Sequence, residues 1–191
     1  MKIMAIDPGT TESAYVIMDD QYQIFSADKV GNDVILSIIA DAPGLDAVII
    51  EDIEPRYSST DRSAAGAVMG QSTIETIKAF GRFSLQASLR GLMVGSVFRR
   101  DERSCLIPTN RNGLPPLPET APKHADGQIR VSLIRRFARH DKERGRGTMA
   151  NPDTFYGFHG DMWQAMAVGV TWLDREKWRA KCERKEKTRK R

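Results

Sequence analysis

Two acidic side chains stand directly after two short, almost wholly apolar stretches of this 191-residue sequence. Asp7 follows Met1–Ile6, and Glu51 follows Ala47–Ile50, both of which predict buried strands. A charged carboxylate is costly at the edge of a core without a partner, so the pattern indicates a bound cation. The next residue, Asp52, is expected to point to the opposite face. The alternatives are that Asp7 only caps a turn and that Glu51 ends its strand in solvent.

The elements between these two strands are expected to bring their ends together. Ala14–Met18 follows a Pro-Gly turn and predicts a hairpin with the first strand, and Gln21–Ala27 predicts a third strand. Asn32–Ala40 predicts a helix with an Asn or Asp cap. A strand-helix-strand order favours a parallel pair, which would place Asp7 and Glu51 at the same edge of a sheet.

The second half of the chain carries a third candidate carboxylate. Asp161 opens a segment with helical spacing, and Gln164 follows three residues later on the same helix face. An Asp in a first helical turn is also favoured by the helix dipole, which is the alternative explanation. Before this segment, helical spacing from Ala64 onward predicts a long helix, and Ser104–Ile107 predicts a short strand.

Two groups of basic residues suit contacts with nucleic acid. A polar loop after Glu51 carries Arg56, Tyr57 and Arg62, and an exposed ring among arginines can stack on a base while the arginines bind phosphates. An ordinary surface loop is the alternative. The helix predicted over Lys123–Arg139 has Arg130 on its polar side, which is either a phosphate-binding or a simply solvated face.

The charge and composition favour a soluble enzyme that acts on a polyanion. Residues 1–80 hold 13 acidic and 5 basic side chains, whereas residues 81–191 hold 12 acidic and 24 basic ones. Residues 175–191 are expected to form a frayed helix or a disordered basic tail. No apolar run is long enough to span a bilayer, and the two cysteines form no metal-binding spacing. We therefore expect an intracellular, cytoplasmic protein.

Five short motifs occur in the order found in one known family. They are Ile6-Asp7-Pro8-Gly9-Thr10, Ile49-Ile50-Glu51, Gly70-Gln71, the stretch from Lys123 to Arg130 (KHADGQIR), and the stretch from Gly160 to Ala167 (GDMWQAMA). The set resembles the RuvC-like Holliday junction resolvases of the RNase H-like superfamily, especially the versions carried by phages. The motifs spread over residues 1–174, so the resemblance implies one nuclease domain there, followed by the basic tail.

The resemblance implies a fold and a reaction. The fold would be α/β, with a mixed five-stranded sheet and helices on both faces. The protein would be a homodimer, with the helix from Ala64 as candidate interface, that nicks four-way DNA junctions symmetrically in recombination and repair. Two Mg²⁺ ions, replaceable by Mn²⁺, would be bridged by Asp7 and held by Glu51 and Asp161. Lys123 would balance charge on the scissile phosphate.

One position departs from the family pattern. The family usually has an acid directly before the Ala-x-Ala of the final helix, where this chain has Gln164. A neutral amide can orient a water or ligate weakly, but it adds no charge to hold a second ion. His159, just before Asp161, is a candidate auxiliary group for proton transfer.

Three other functions fit parts of the sequence. The Asp7-Pro8-Gly9-Thr10-Thr11 segment also resembles a phosphate loop of the actin and sugar-kinase superfamily, although no clear second loop follows. The neutral Gln164 leaves open a junction-binding protein without activity. A nuclease for flaps or replication forks would share every motif, since branch choice depends on loop shape and dimer geometry.

Overall fold

A five-stranded mixed sheet forms the centre of the protein in a computed structural model that describes residues 1–53, 70–110 and 112–189. Its order is β3-β2-β1-β4-β5. The strands are β1 (Lys2–Asp7), β2 (Glu12–Asp19), β3 (Ile24–Gly31), β4 (Ala47–Asp52) and β5 (Met93–Phe98). The helices are α1 (Asn32–Asp41), α2 (Gln71–Leu89), α3 (Arg99–Leu106), α4 (Ala125–Phe137) and α5 (Met162–Arg189).

The antiparallel hairpin of β1 and β2 and the parallel pairing of β1 with β4 are confirmed. The first three strands pair antiparallel as a meander, and β4 and β5 run parallel to β1. Helix α1 connects β3 to β4, so the strand-helix-strand order does place β4 beside β1. The predicted α/β class with a mixed five-stranded sheet is confirmed.

Helices cover both faces of the sheet. On one face, α1 and α2 bury Ile35, Ile39 and Phe83 against alternate residues of β1, β2 and β4. On the other face, α5 packs on β1 and β2, with α3 and α4 outside it. Gly169 permits this close approach, because a Cβ there would lie 2.6 Å from the terminal methyl of Met18. The sheet is therefore buried on both sides, which explains the continuous apolar runs of β1 and β4.

Two of the predicted strands are corrected by the structure. The third strand is Ile24–Gly31 and not Gln21–Ala27, because the Asp19 carboxylate accepts from the backbone N–H groups of residues 21 and 23 and holds a turn there. The predicted strand Ser104–Ile107 is wrong, since residues 99–106 form α3 and bury Leu106 against the core. The fifth strand is instead Met93–Phe98, which pairs with β4.

Helix α2 is continuous through Gly81 and presents two different faces. Ala79, Phe83 and Ala87 are buried, whereas Ile74 and Ile77 are 37% and 39% exposed. The helix begins after Gly70 and ends before Gly91, whose φ of +75° suits glycine. The part of the predicted helix between residues 64 and 69 lies outside the described residues.

The C-terminal segment is one helix. α5 continues from Met162 to Arg189 without a break, so the residues after 174 extend the helix through most of the predicted basic tail. Cys105 and Cys182 are both free thiols. Within the described ranges, no helix combines the length and apolar character needed to span a membrane.

Candidate active site

Asp7 and Glu51 lie next to each other at the carboxyl edge of the sheet. Ile6 of β1 pairs with Ile50 of β4, and the two acids come one residue later on each strand. Both point to the face covered by α5, because Ala5 and Ile49, two residues earlier, belong to the core on that side. Asp52 lies on the other face, where its carboxylate accepts from the hydroxyl of Ser96 at 3.2 Å.

The two neighbouring carboxyls share a poorly solvated environment. Burial, followed by the negative charge of Glu51, raises the pKa of Asp7 to about 8, and Asp161 adds to this effect. Burial also raises the pKa of Glu51, although the positive charge of Arg99 opposes the change. A pair of acids whose ionisation is this costly is a site that a cation would stabilise.

The turn after β1 fixes the position of Asp7. The N–H of Gly9 donates to the hydroxyl of Ser13 at 3.1 Å, and that hydroxyl donates to the amide oxygen of Asn32 at 2.6 Å. The Asn32 amide nitrogen donates back to the carbonyl of Gly9. A Cβ at residue 9 would lie 2.1 Å from the carbonyl oxygen of Glu12, so only glycine fits. The expected side-chain cap of α1 is absent, because Asn32 serves this turn instead.

Asp161 lies at the same cleft, immediately before α5. Its backbone carbonyl accepts from the N–H groups of Gln164 and Ala165, which begins the helix. Its side chain is 52% exposed and forms a 2.7 Å ion pair with Lys29 of β3. The negative charge of Asp161 is close enough to raise the pKa of Asp7, but the Asp161 carboxylate is paired with Lys29.

A guanidinium occupies the inner part of the cleft. Nη1 of Arg99 donates to the amide oxygen of Gln164 at 2.5 Å and to Glu51 at 3.4 Å. The same nitrogen contacts Glu102 at 3.3 Å, and Nη2 donates to Asp126 at 3.0 Å. Arg99 is at the start of α3, directly after β5 ends beside β4, so the sheet delivers it to the carboxylate pair.

Glu102 lies behind Arg99 on the same helix and is completely buried. Burial, together with the negative charge of Glu51, raises its pKa to about 9. One carboxyl oxygen contacts Arg99, and the other has no hydrogen-bond partner among the described residues. A buried acid in this position is costly, which indicates that its contact with Arg99 matters to the site.

These residues line an open cleft of about 840 Å³. Its charged lining includes Asp7, Glu51, Asp126, Asp161, Arg99 and Arg103, and Gln164 also contributes. Four of the residues predicted for the site therefore line one cleft: Asp7, Glu51, Asp161 and Gln164. The cleft carries both acids for a cation and arginines for phosphates.

Other predicted site residues lie elsewhere or are not described. Lys123 is exposed just before α4, and His159 is exposed just before Asp161. Arg130 stacks over the ring of Trp163, with its guanidinium carbon 4.8 Å from the ring centre. Arg56, Tyr57 and Arg62 lie outside the described residues.

The donors at the cleft fit a hard divalent cation in part. Asp7 and Glu51 supply carboxylate oxygens, and Gln164 supplies an amide oxygen, which are the ligand types that Mg²⁺ takes. As their side chains stand, the described residues contain no group of three or more His, Cys, Asp or Glu that would hold a metal ion. The ion pair with Lys29 explains this result, because it holds the third acid, Asp161, away from the other two. The preformed part of the site is therefore the Asp7–Glu51 pair.

Sequence reasoning did not identify Arg99, Glu102, Asp126 or Lys29. The first two belong to a charged run, RRDER, that directly follows the apolar strand β5. No continuous apolar run marks β5 in the sequence, so only the structure shows that this charged run begins at the carboxyl edge of the sheet. Lys29 and Asp126 reach the cleft from β3 and α4, and only the folded structure brings them there.

Similarity to known proteins is found when structures are compared, but not when sequences are compared. No protein-family model matches the chain, and no curated protein matches its sequence. A solved structure of T. thermophilus RuvC in complex with Holliday junction substrate has a TM-score of 0.57 at 12% identity, covering 90% of this chain and 91% of that chain. This chain has the RuvC fold. A second structure of Thermus thermophilus RuvC gives a TM-score of 0.51 at 14% identity, over 90% of this chain and 92% of that one.

Proposed function

We propose that this protein is a divalent-metal-dependent endonuclease that resolves four-way DNA junctions. The observation that carries the proposal is the pair of adjacent, poorly solvated acids, Asp7 and Glu51, at the carboxyl edge of a RuvC-like sheet. Ligands of open α/β sheets bind at this edge. The RuvC chain solved in complex with a Holliday junction substrate aligns with 90% of this chain and over 91% of its own length. This similarity supports branched DNA as the substrate class.

The side chains divide the work of phosphodiester hydrolysis among them. Asp7 and Glu51 would hold the metal, which would supply a nucleophilic hydroxide and stabilise the leaving oxygen when bound. Asp161 would join them after exchanging its Lys29 contact, and Lys29 would then be free to meet a phosphate. Gln164 would orient a water or ligate through its amide oxygen. The exposed His159 and Lys123 are candidates for proton transfer and for balancing phosphate charge.

The basic side chains around the cleft would hold the DNA backbone. Arg100 and Arg103 line the cleft from α3. Contacts of this kind supply affinity without sequence information, which suits an enzyme that recognises the shape of a branch. Arg56, Tyr57 and Arg62 remain candidates for contacts with bases.

A homodimer would place two such clefts on one junction. In the part of α2 that the structure describes, Ile74, Ile77, Leu85 and Leu89 are exposed. They lie on one stripe of the helix around Gly81, opposite the buried Phe83, because residues three and four apart share a face. An exposed apolar stripe is typical of a contact surface, and we assign the dimer interface to it.

A specific observation favours a second candidate, a junction-binding protein without activity. Gln164 stands where a charged ligand would be expected, and Asp161 is paired with Lys29. Both features reduce the negative charge available to hold cations. Such a protein would keep the basic surfaces and the dimer but would not cut.

Cleavage of a labelled synthetic four-way junction tests the proposal against both rivals. The junction is compared with a matched linear duplex and a flap, in Mg²⁺, in Mn²⁺ and in EDTA. We expect paired, symmetric nicks with 5′-phosphate ends in the junction alone, only with metal. Equal cutting of flaps would indicate a broader branch nuclease. Tight junction binding without cutting in either metal would favour the binding protein.

A further inference from the structure

Arg99 is held in the cleft by contacts from several directions. Its guanidinium contacts Glu51 at the end of β4, Gln164 on α5 and Asp126 on α4, while Glu102 on its own helix supports it from the buried side. A guanidinium is a planar fork with fixed donor directions, so contacts on several sides fix its orientation. Only about a quarter of its side chain is exposed. Arg99 is therefore a built part of the site rather than a surface side chain.

The oxygens that Arg99 contacts are those that a second metal ion would need. Glu51 would supply one carboxylate, and residue 164 would supply the next oxygen on α5. Like charges repel strongly at such short range in a poorly solvated cleft, so a divalent ion and the guanidinium exclude each other. The amide of Gln164 adds no charge that would favour a metal over the arginine.

We infer that the guanidinium of Arg99 takes the place of the second cation, so that the site binds one divalent ion per chain. This inference rests on the proposed function, and it replaces the two ions implied by the family resemblance. Asp7 and Glu51 face the ion, and Arg99 contributes the remaining positive charge toward the scissile phosphate. Arginine binds phosphate oxygens through two parallel N–H groups, which suits this task.

The fully buried Glu102 is explained by the same arrangement. A buried acid needs a hydrogen-bond partner, and the partner of Glu102 is the guanidinium that also contacts Gln164 and Glu51. Because Glu102 is three residues after Arg99, the guanidinium and the buried acid that contacts it lie on the same turn of α3. The charge of Arg99 is thus fixed in place before DNA binds.

Counting bound Mn²⁺ on the full-length protein tests the inference without measuring activity. Calorimetric titration, checked by the electron paramagnetic resonance of free Mn²⁺, gives the number of ions per chain. We expect one ion for the wild type and for Arg99→Lys. For Arg99→Met we expect a second, weaker ion, because the oxygens of Glu51, Asp126 and Gln164 are released. Adding Gln164→Asp to Arg99→Met should tighten that second ion by about tenfold or more.

Arg103→Met is the matched control. Arg103 lines the same cleft from the next turn of α3, so its loss removes the same charge from nearby without freeing the amide oxygen of Gln164. This variant should still bind one ion, and circular dichroism establishes that each variant is folded. Should Arg99→Met not fold, the count for the wild type still tests the inference, because two ions there would overturn it.

The outcomes separate the inference from the proposed function. Two ions on the wild type, or one ion on folded Arg99→Met, would overturn the inference and leave a metal-dependent nuclease standing. A wild type that binds no Mn²⁺ would overturn the proposed metal dependence itself, and the inference would fall with it.

Discussion

The carboxyl groups of Asp7 and Glu51 lie side by side, one residue beyond the paired Ile6 and Ile50 of two parallel strands. Their position follows from strand geometry, because acids that come directly after buried, in-register parallel strands must emerge at the same edge and on the same face. Burial raises the pKa of both groups. The sheet therefore creates a place where negative charge is costly until a cation arrives.

The two consecutive acids at the end of β4 should behave differently. Glu51 faces the cleft beside Asp7, whereas Asp52 accepts a hydrogen bond from Ser96 on the other face. We predict that Glu51→Gln lowers the rate of junction cleavage at least about 100-fold, because it removes a metal ligand. Asp52 also lines the cleft, but its carboxylate is directed to Ser96 and away from Asp7, so Asp52→Asn should stay within about threefold of the wild type. Single-turnover cleavage measures both, and similar losses in the two variants would contradict the assigned faces.

The stability of the metal-free protein should fall as the pH rises from about 5 to about 8. The folded state keeps a proton on Asp7, whose pKa is raised to about 8, while the unfolded chain has already released it near its ordinary value of 3.8. The unfolded state therefore binds fewer protons across this window, which lowers the free energy of unfolding by up to about 1.4 kcal/mol per pH unit for one retained proton.

Urea denaturation in EDTA at several pH values measures this slope. Asp7→Asn should reduce the slope, and Mg²⁺ should stabilise the wild type more at the upper end of the range, because it binds the ionised carboxylates. Glu102, whose pKa is raised to about 9, contributes with the same sign, so Glu102→Gln should also flatten the curve. Identical slopes for the wild type and Asp7→Asn would contradict the burial of the Asp7 proton.

The apolar stripe of α2 should control dimerisation. We predict that Ile77→Glu makes the protein monomeric and replaces paired junction cuts by slow, independent nicks, because a charge at the centre of an apolar interface is poorly solvated. Val34→Glu, which changes an apolar residue of α1 that is 49% exposed against 39% for Ile77, is the control and should leave the dimer intact. Light scattering after gel filtration measures the mass. A dimer that survives Ile77→Glu would place the interface elsewhere.

The segment that leads to Asp161 is organised by a buried carboxylate that the sequence reading did not identify. The Asp153 side chain is fully buried and accepts from the backbone N–H groups of Arg139, His140, Asp141 and Thr154. Burial opposes ionisation, but these hydrogen bonds outweigh it and lower the pKa of Asp153.

Asp153→Asn should therefore destabilise the protein, since an amide has only one accepting oxygen. We expect a loss of about 2 kcal/mol and a fall in Tm of about 4–8 °C. Differential scanning calorimetry measures this loss, with Glu143→Gln as the control because Glu143 is exposed in the same loop. An unchanged Tm for Asp153→Asn would mean that the loop does not depend on these hydrogen bonds.

The sequence was informative where one local pattern decides the structure. The runs before Asp7 and Glu51 identified the two central strands, and their order in the chain predicted their parallel pairing. It was misleading for β5, because Met93–Phe98 is a short edge strand whose first residues are exposed, so no continuous apolar run marks it. Ser104–Ile107 has such a run but is helical, since Leu106 packs into the core from α3.

The sequence predicted the acidic residues of the candidate site but not its basic residues, Arg99 and Lys29. Asp161 was expected to face the other two acids, but Lys29 of β3, which is far away in the sequence, reaches it first. Arg99 contacts residues on four different elements, including its own helix. No spacing of residues in the sequence predicts these contacts. Long-range charge pairing is set by the packing of whole elements, which a local pattern does not contain.

The most direct test of a metal-dependent nuclease centred on Asp7 is the behaviour of Asp7→Asn on a four-way junction in Mg²⁺. We predict that cleavage falls at least about 100-fold, because a metal ligand is lost. Junction affinity should stay within about threefold of the wild type, because phosphate contacts dominate binding. Cleavage by Asp7→Asn at a rate close to that of the wild type would contradict the account.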